Sequence, residues 1–269
     1  MSDVASGFEK AIGQVTDPYE RQARLYPALL ALSPVIVLVL SLYGDKLGLL
    51  STLMSVLVAC GLLFFLSDLA RSRGKAREQQ LFAKWGGLPS TQLLRYRDNK
   101  YFEASQVKRF HDYLAGRMGV AFPTEAQEAN DPKTADAIYA SAGSVLRSET
   151  RDTTTFQLLF KDNISYGFRR NALGLRGIAI SMCIGSLIWV YIRQGPSMWV
   201  SRLSEAVNPE TFFTGGEITT IGMSIGVMLA WLVYMTEKSV QEAAFTYARS
   251  LIEACETLRS RADSSAPSD

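Results

Sequence analysis

Apolar residues crowd into four uncharged stretches of the chain, Leu25–Gly44, Leu47–Leu66, Gly177–Ile192 and Ile218–Thr236, which are 20, 20, 16 and 19 residues long. A bilayer hydrocarbon core of roughly 30 Å takes about 20 helical residues to cross. Inside lipid each backbone N–H and C=O needs a partner within its own segment, so stretches of this length read as helices rather than strands. The pattern predicts an all-α integral membrane protein with two transmembrane helical hairpins, four spans in all, and a helical cytosolic insert between them.

The polar and mixed segments complete that layout. Residues 1–24 form a cytosolic N-terminal segment, 25–67 the first hairpin, 68–176 a cytosolic helical domain, 177–236 the second hairpin, and 237–269 a cytosolic helix with a disordered tail. The mixed charge of Met1–Arg24 and the length of the apolar run after it read as a signal-anchor, not a removable leader. Pro27 and Pro34 should kink the first span or mark its first turn. After the second span a helix should continue to Gly86-Gly87, followed by short helices from Pro89 through Arg97 and over Glu103–Met118, a loop at Gly119–Asp131, and a helix opened by Asp131-Pro132. Phe156, Phe160, Ile164 and Phe168 recur every four residues and give one apolar stripe leading into the third span, with Gly167 and Gly174 as hinge points. Val240, Ala244, Tyr247, Leu251, Ala254 and Leu258 make a short heptad seam on a helix that, if continuous with the fourth span, projects far into the cytosol.

Composition adds little to this, but the distribution of charge adds orientation. A mean hydropathy of +0.06 averages a membrane population and a polar one. Within 68–176 there are 18 basic and 12 acidic residues, whereas the rest of the chain holds 10 and 14. Basic residues flank the insert at both membrane ends, with Arg71, Arg73, Lys75 and Arg77 on one side and Arg169, Arg170 and Arg176 on the other. Basic loops beside a span stay in the cytoplasm, so the insert and both termini are expected inside, in a multi-pass protein of the cell inner (plasma) membrane. Cys60, Cys183 and Cys255 form no disulfide framework and read as reduced packing residues.

Candidate chemistry is sparse. Gly222-Met223-Ser224-Ile225-Gly226 fits the hydrolase pattern GxSxG, which needs a strand-to-helix elbow and a nearby histidine base. Here it lies within a span, and the single histidine, His111, lies in the insert. Gly222 and Gly226 therefore read as a GxxxG helix-packing face, with Ser181 and Gly185 as a second small-residue face. His111 and Asp112 point about 100° apart on a helix and do not make a base with its orienter. Zinc-ligand spacings and glycine-rich phosphate loops are absent, so no metal, no cofactor and no catalytic residue is assigned, and the chain is read as a non-enzyme. Arg71, Arg73, Lys75 and Arg77 are candidates for anionic lipid headgroups or another ligand, besides their topological role. Asp162, Asn163, Tyr166, Arg169 and Arg170 are candidates for coupling the insert to the membrane helices. The span interiors hold no ionisable residue, which argues against an ion-coupled transporter; Ser51, Thr52, Ser55, Thr219, Thr220 and Ser224 are the candidates for lining a pore shared by several subunits.

These readings converge on an oligomeric inner-membrane protein whose cytosolic helical domain receives a signal or partner and couples it to the membrane helices. Pore formation or membrane disruption is one outcome. In its hairpin–insert–hairpin layout the chain looks like the small multi-span effectors found beside bacterial antiviral signalling systems, a resemblance of arrangement. The alternative is a membrane-tethered scaffold that binds a cytosolic protein through the insert and the C-terminal helix. Expected partners are the lipid bilayer, further copies of the chain and a cytosolic protein; no nucleic acid is expected.

Overall fold

A computed structural model describes residues 17–46, 48–193, 195–205 and 212–265, and for residues 49–60, 196–197, 203–205, 262–263 and 265 it describes the backbone alone. All regular structure among them is helical. The elements are α1 (Pro18–Lys46), α2 (Leu49–Trp85), α3 (Pro89–Leu93), α4 (Ala104–Met118), α5 (Glu125–Asn130), α6 (Pro132–Glu149), α7 (Gln157–Arg193), α8 (Pro196–Glu205), α9 (Gly215–Tyr234) and α10 (Glu237–Ser265). They form two compact units, one from residues before 78 together with 167–240, the other from 78–166 together with the residues after 240.

In the first unit, α1, α7 and α9 are long and apolar enough to cross a membrane. The expected second span falls on the first half of α2, where side chains 49–60, and with them Ser51, Thr52, Ser55 and Cys60, lie outside the described residues. Alanine, leucine and tryptophan side chains from four helices interlock in the core, among them Ala28 and Leu32 of α1, Leu66 and Ala70 of α2, Leu175 and Ala179 of α7, and Trp231 of α9. Contacts fix the directions. Gly216, at the start of α9, abuts the Ser41 carbonyl near the end of α1, so these two run antiparallel. Asn171 Nδ2 of α7 donates to Ala23 O of α1 (2.8 Å), and Trp189 Nε1 donates to Tyr43 Oη (3.0 Å), so α1 and α7 run parallel. Trp231 Nε1 donates to Ala172 O (3.0 Å) and closes the same end as Asn171.

Between the two ends this unit turns large apolar side chains outward, including Val39, Leu40, Phe65, Ile184, Ile188, Leu229 and Val233. Water disfavours so much clustered apolar surface, and lipid accepts it. Aromatic residues collect at both ends. Tyr43, Trp189, Tyr191 and Trp199 mark one, and Tyr19, Tyr26 and Tyr234 the other. Amphipathic rings of this kind sit at the headgroup level of a bilayer. Glu217 caps α9 by a reciprocal box with Thr214 and, although fully buried, meets Arg202 Nη1 at 3.2 Å.

The tight packing in this unit rests on glycines other than those the spacing singles out. A Cβ on Gly174 would stand 2.6 Å from the backbone nitrogen of Gly74, and one on Gly74 would stand 2.5 Å from Asn171 Oδ1. These two glycines let α2 and α7 cross at backbone contact. Gly174 is thus a crossing point and not a hinge, and α7 runs as one helix from Gln157 to Arg193.

The second unit gathers the polar insert and the C-terminal helix around their own apolar core. The stripe on α4 buries Phe110 and Leu114 and packs Tyr113 and Met118 against that core, as its spacing predicts. Asp131 caps α6 by accepting from the Thr134 amide (3.1 Å). Gly86 and Gly87, both with positive φ, end α2. Two differences are local. The loop expected at Gly119–Asp131 contains α5, opened by a capping box between Thr124 and Gln127, and α3 stops at Leu93.

α9 and α10 are separate helices, whereas the sequence left open one continuous helix there. A π-helical turn over Ala230–Tyr234 ends at Met235, and α10 starts afresh at Glu237. Five of the six seam residues lie on the stretch of α10 within the second unit. There Leu251 and Ala254 sit in the core, and Tyr247 and Leu258 pack against it. The seam is an internal face of this chain.

Candidate functional site

A polar groove in the second unit is built where α6 ends and α7 begins. Ala135, Tyr139, Ala142 and Leu146 recur at helical spacing, and their burial fixes the rotation of α6. Arg147, next along, is exposed and lines the groove. Thr150 closes the helix, its amide and its hydroxyl both donating to Leu146 O (3.0 and 2.8 Å). Arg151 follows the cap. The chain then turns on Asp152, whose carboxylate accepts from the Thr154 amide (3.0 Å) and from the Thr154 and Thr155 hydroxyls (2.6 and 2.5 Å). These bonds hold the Asp152 carboxyl well below the usual carboxylate range. On the first turns of α7, Leu159, Phe160, Asn163 and Tyr166 supply a second wall, and Tyr247 of α10 a third.

The groove consists of two adjoining concavities of about 310 and 280 Å3 that share Arg147, Asn163 and Tyr247. The larger is lined by Arg151, Thr150 and Thr153, and the smaller by Glu78, Ser90 and Tyr166. The Tyr166 and Tyr247 rings lie parallel to within 3°, their centroids 6.2 Å apart. Tyr166 Oη also donates to Glu78 Oε1.

Elsewhere in this unit lies a charge network built around one buried carboxylate. Glu128, 1% exposed, accepts from the amides of Tyr96 (2.9 Å) and Arg97 (3.2 Å), from Tyr139 Oη (2.8 Å) and from Arg97 Nη1 (2.8 Å). Burial alone would raise its pKa, but the donated hydrogen bonds outweigh it and lower the value. Asp136 takes both Arg95, in a two-pronged pair at 2.8 Å, and Arg97 at 2.7 Å. His111 lies beside this network, 3% exposed, with Nε2 2.7 Å from Leu94 O and its ring packed on Tyr96, Phe122 and Tyr139. Burial lowers its pKa, so the imidazole is neutral. Glu128 and His111 are enclosed, Arg95, Arg97 and Asp136 are partly exposed, and together they hold the 94–99 turn onto α5 and α6.

The candidate coupling residues all lie on α7 and fall on both sides of the boundary between the two units. Asp162, Asn163 and Tyr166 belong to the second unit, where Asp162 accepts from Ser250 Oγ (2.5 Å) and Asn163 and Tyr166 line the groove. Arg169 and Arg170 belong to the first. Arg169 donates to Ser239 O (3.1 Å) and lies over the Tyr234 ring (5.4 Å), and Arg170 is buried with Nε 3.3 Å from Asn171 Oδ1.

In the basic cluster Arg73, Lys75 and Arg77 are exposed and Arg71 half-buried, and none forms an ion pair among the described residues. Gly222, Gly226 and Gly185 have no atom of another helix within 4 Å of where a Cβ would stand, and Ser181 is exposed, so among the described residues both small faces look outward. Ser224 and Thr220 are buried, and Thr219 is exposed. No group of three or more metal-ligating side chains occurs among the described residues.

Arg147, Arg151 and Tyr247 were not candidates by sequence. A guanidinium without a carboxylate looks the same in sequence as a paired one, and Tyr247 reads there as part of the seam. No protein-family model, no curated protein and no solved structure matches the chain. The fold and the groove together describe an all-helical protein with three membrane-length apolar helices and a polar unit that carries a concave, arginine-lined surface.

Proposed function

We propose that the protein is an oligomeric inner-membrane signal transducer whose polar helical unit receives a ligand or partner in the cytoplasm and passes the event to the membrane helices, with permeabilisation of the bilayer as its output. The observation that carries this reading is α7, a single helix whose first ten residues contribute Leu159, Phe160, Asn163 and Tyr166 to the groove and whose remainder is apolar enough to cross a membrane. The helical hydrogen bonding runs without a break from those first turns into the apolar segment. In this reading the apolar first half of α2 is the fourth crossing, and the unpaired Arg71, Arg73, Lys75 and Arg77 hold their end of it inside the cell. The outward small faces at Gly222/Gly226 and Ser181/Gly185 are the surfaces by which copies meet. The scaffold alternative is less favoured, because the α10 seam is largely occupied within the chain.

The test is release of an entrapped dye from phosphatidylethanolamine–phosphatidylglycerol vesicles carrying the purified full chain, with cell extract added as a source of the trigger. Release that depends on both protein and extract supports the proposal. Vesicles that stay tight at every protein-to-lipid ratio and with every extract overturn permeabilisation as the output.

A further inference from the structure

The groove holds two guanidinium groups that the fold does not neutralise. The acids nearest to Arg147 and Arg151 in the chain are already engaged. Arg117 takes Glu149 (Nη2 to Oε1, 2.5 Å), and the threonines that follow take Asp152. Arg147 Nη2 donates to Ser144 Oγ (2.8 Å), and neither Arg147 nor Arg151 forms an ion pair with a carboxylate among the described residues. A basic residue in the last turn of a helix is favoured by the helix dipole, which accounts for Arg147. It does not account for Arg151 beyond the cap, nor for both residues lining one concavity.

Two forked donors at one site suit an anion with several oxygens, and phosphate matches that geometry better than a lone charge does. Thr153 adds a hydroxyl on the same side. Arg151 and Thr153 line only the larger concavity, and Glu78, which accepts from Tyr166 Oη, lines only the smaller. Between the ends, Tyr247 presents an aromatic wall, and Asn163 an amide able to donate and to accept. We propose that the groove binds a small molecule with a phosphate monoester at one end and a planar ring at the other, of the nucleoside monophosphate class. Its phosphate lies between Arg147 and Arg151 and its ring along Tyr247. The assignment deepens, and rests on, the reading of this unit as the receiver of a signal.

The experiment is calorimetric titration of the full chain in nanodiscs with the four common nucleoside 5′-monophosphates, the matching nucleosides and inorganic phosphate. At least one monophosphate should bind, with its nucleoside and inorganic phosphate each at least about ten-fold weaker. The pair Arg147→Gln/Arg151→Gln, both exposed residues, should weaken binding by about thirty-fold or more with an unchanged melting temperature. The charge-matched pair Lys133→Gln/Arg259→Gln, both exposed and neither lining the groove, should leave binding as it was. Three results overturn the assignment: no monophosphate binds, inorganic phosphate binds as well as the nucleotides, or the two double variants weaken binding equally. Dye release measured on the same preparations separates this assignment from the function above. Specific binding without release leaves the ligand class standing and removes transmission; release with no nucleotide binding does the reverse.

Discussion

Gly174 and Gly74 meet backbone to backbone, so that a methyl group on Gly174 would lie 2.6 Å from the Gly74 nitrogen and 3.1 Å from its Cα. Neither neighbour is a flexible side chain that can swing aside, and the two helices would have to part. Gly174→Leu should therefore destabilise the first unit by more than about 3 kcal/mol, at the upper end of what overpacking costs. Gly177→Leu on the same helix, with nothing within 4 Å, should be near neutral. Thermal melting in detergent, followed by tryptophan fluorescence, compares the two.

Trp231 is fully buried and spends its one polar atom on Ala172 O. Trp231→Phe keeps most of the aromatic bulk but leaves that carbonyl without its donor and part of the site empty. A loss of about 1–2 kcal/mol is expected, read from the midpoint of the same melt.

Glu128 gathers four donors in a site that excludes water. Glu128→Gln keeps the size, places an N–H among donors and leaves Arg97 to Asp136 alone. We expect a loss of about 2–3 kcal/mol, confined to the polar unit, with faster amide exchange in α5 and the 94–99 turn as the readout.

The pH dependence follows from the same neighbourhood. His111 has a folded pKa below its ordinary 6.5, so its contribution is complete above that value and is lost as pH falls through the folded pKa. Glu128 and Asp136 are depressed as well, and their contributions fade further down, below about 4.5 and 3.8. Tyr139 is shifted the other way. Burial and its bond to Glu128 raise its pKa well above 10.0, so its contribution is complete below 10.0 and is lost at higher pH. Burial also pushes the Cys255 thiol up from 9.0 to about 12, so its contribution begins to fade above 9, and chemical denaturation across pH should give a plateau between about 6.5 and 9 with a two-stage decline on the acid side. His111→Gln should remove the first stage.

The outward GxxxG face makes a prediction about assembly. Gly222→Ile with Gly226→Ile should lower the mass of the detergent-solubilised particle without lowering the melting temperature of the protomer, because neither glycine meets another helix among the described residues. Light scattering on the purified particle reads the first quantity and calorimetry the second.

How far the sequence reaches depends on the range of the interaction. Apolar runs, glycine stops and the Asp131-Pro132 start are local signals, and they place α1, α7, α9, the end of α2 and the start of α6 correctly. Arg95 and Asp136 lie 41 residues apart, and Arg97 and Glu128 31 apart, so nothing in the local pattern marks them as partners. The glycines behave in the same way. Gly222 and Gly226 carry a recognised spacing yet touch no described residue of another helix, while Gly74 and Gly174, a hundred positions apart and without a motif, make a helix crossing at backbone contact. For the groove, Asn163 and Tyr166 were legible as a dense polar group at the start of a span. Arg147 and Arg151 were not, because what distinguishes them is that their acidic neighbours face elsewhere.

The single imidazole of this chain is sealed against Tyr96, Phe122 and Tyr139. An acylating reagent selective for imidazole should find nothing to modify while the protein is intact and should react stoichiometrically once the polar unit opens. His111 thereby serves as a built-in reporter, one whose modification rate gives the opening frequency of that unit in a native membrane, without a label or an engineered residue.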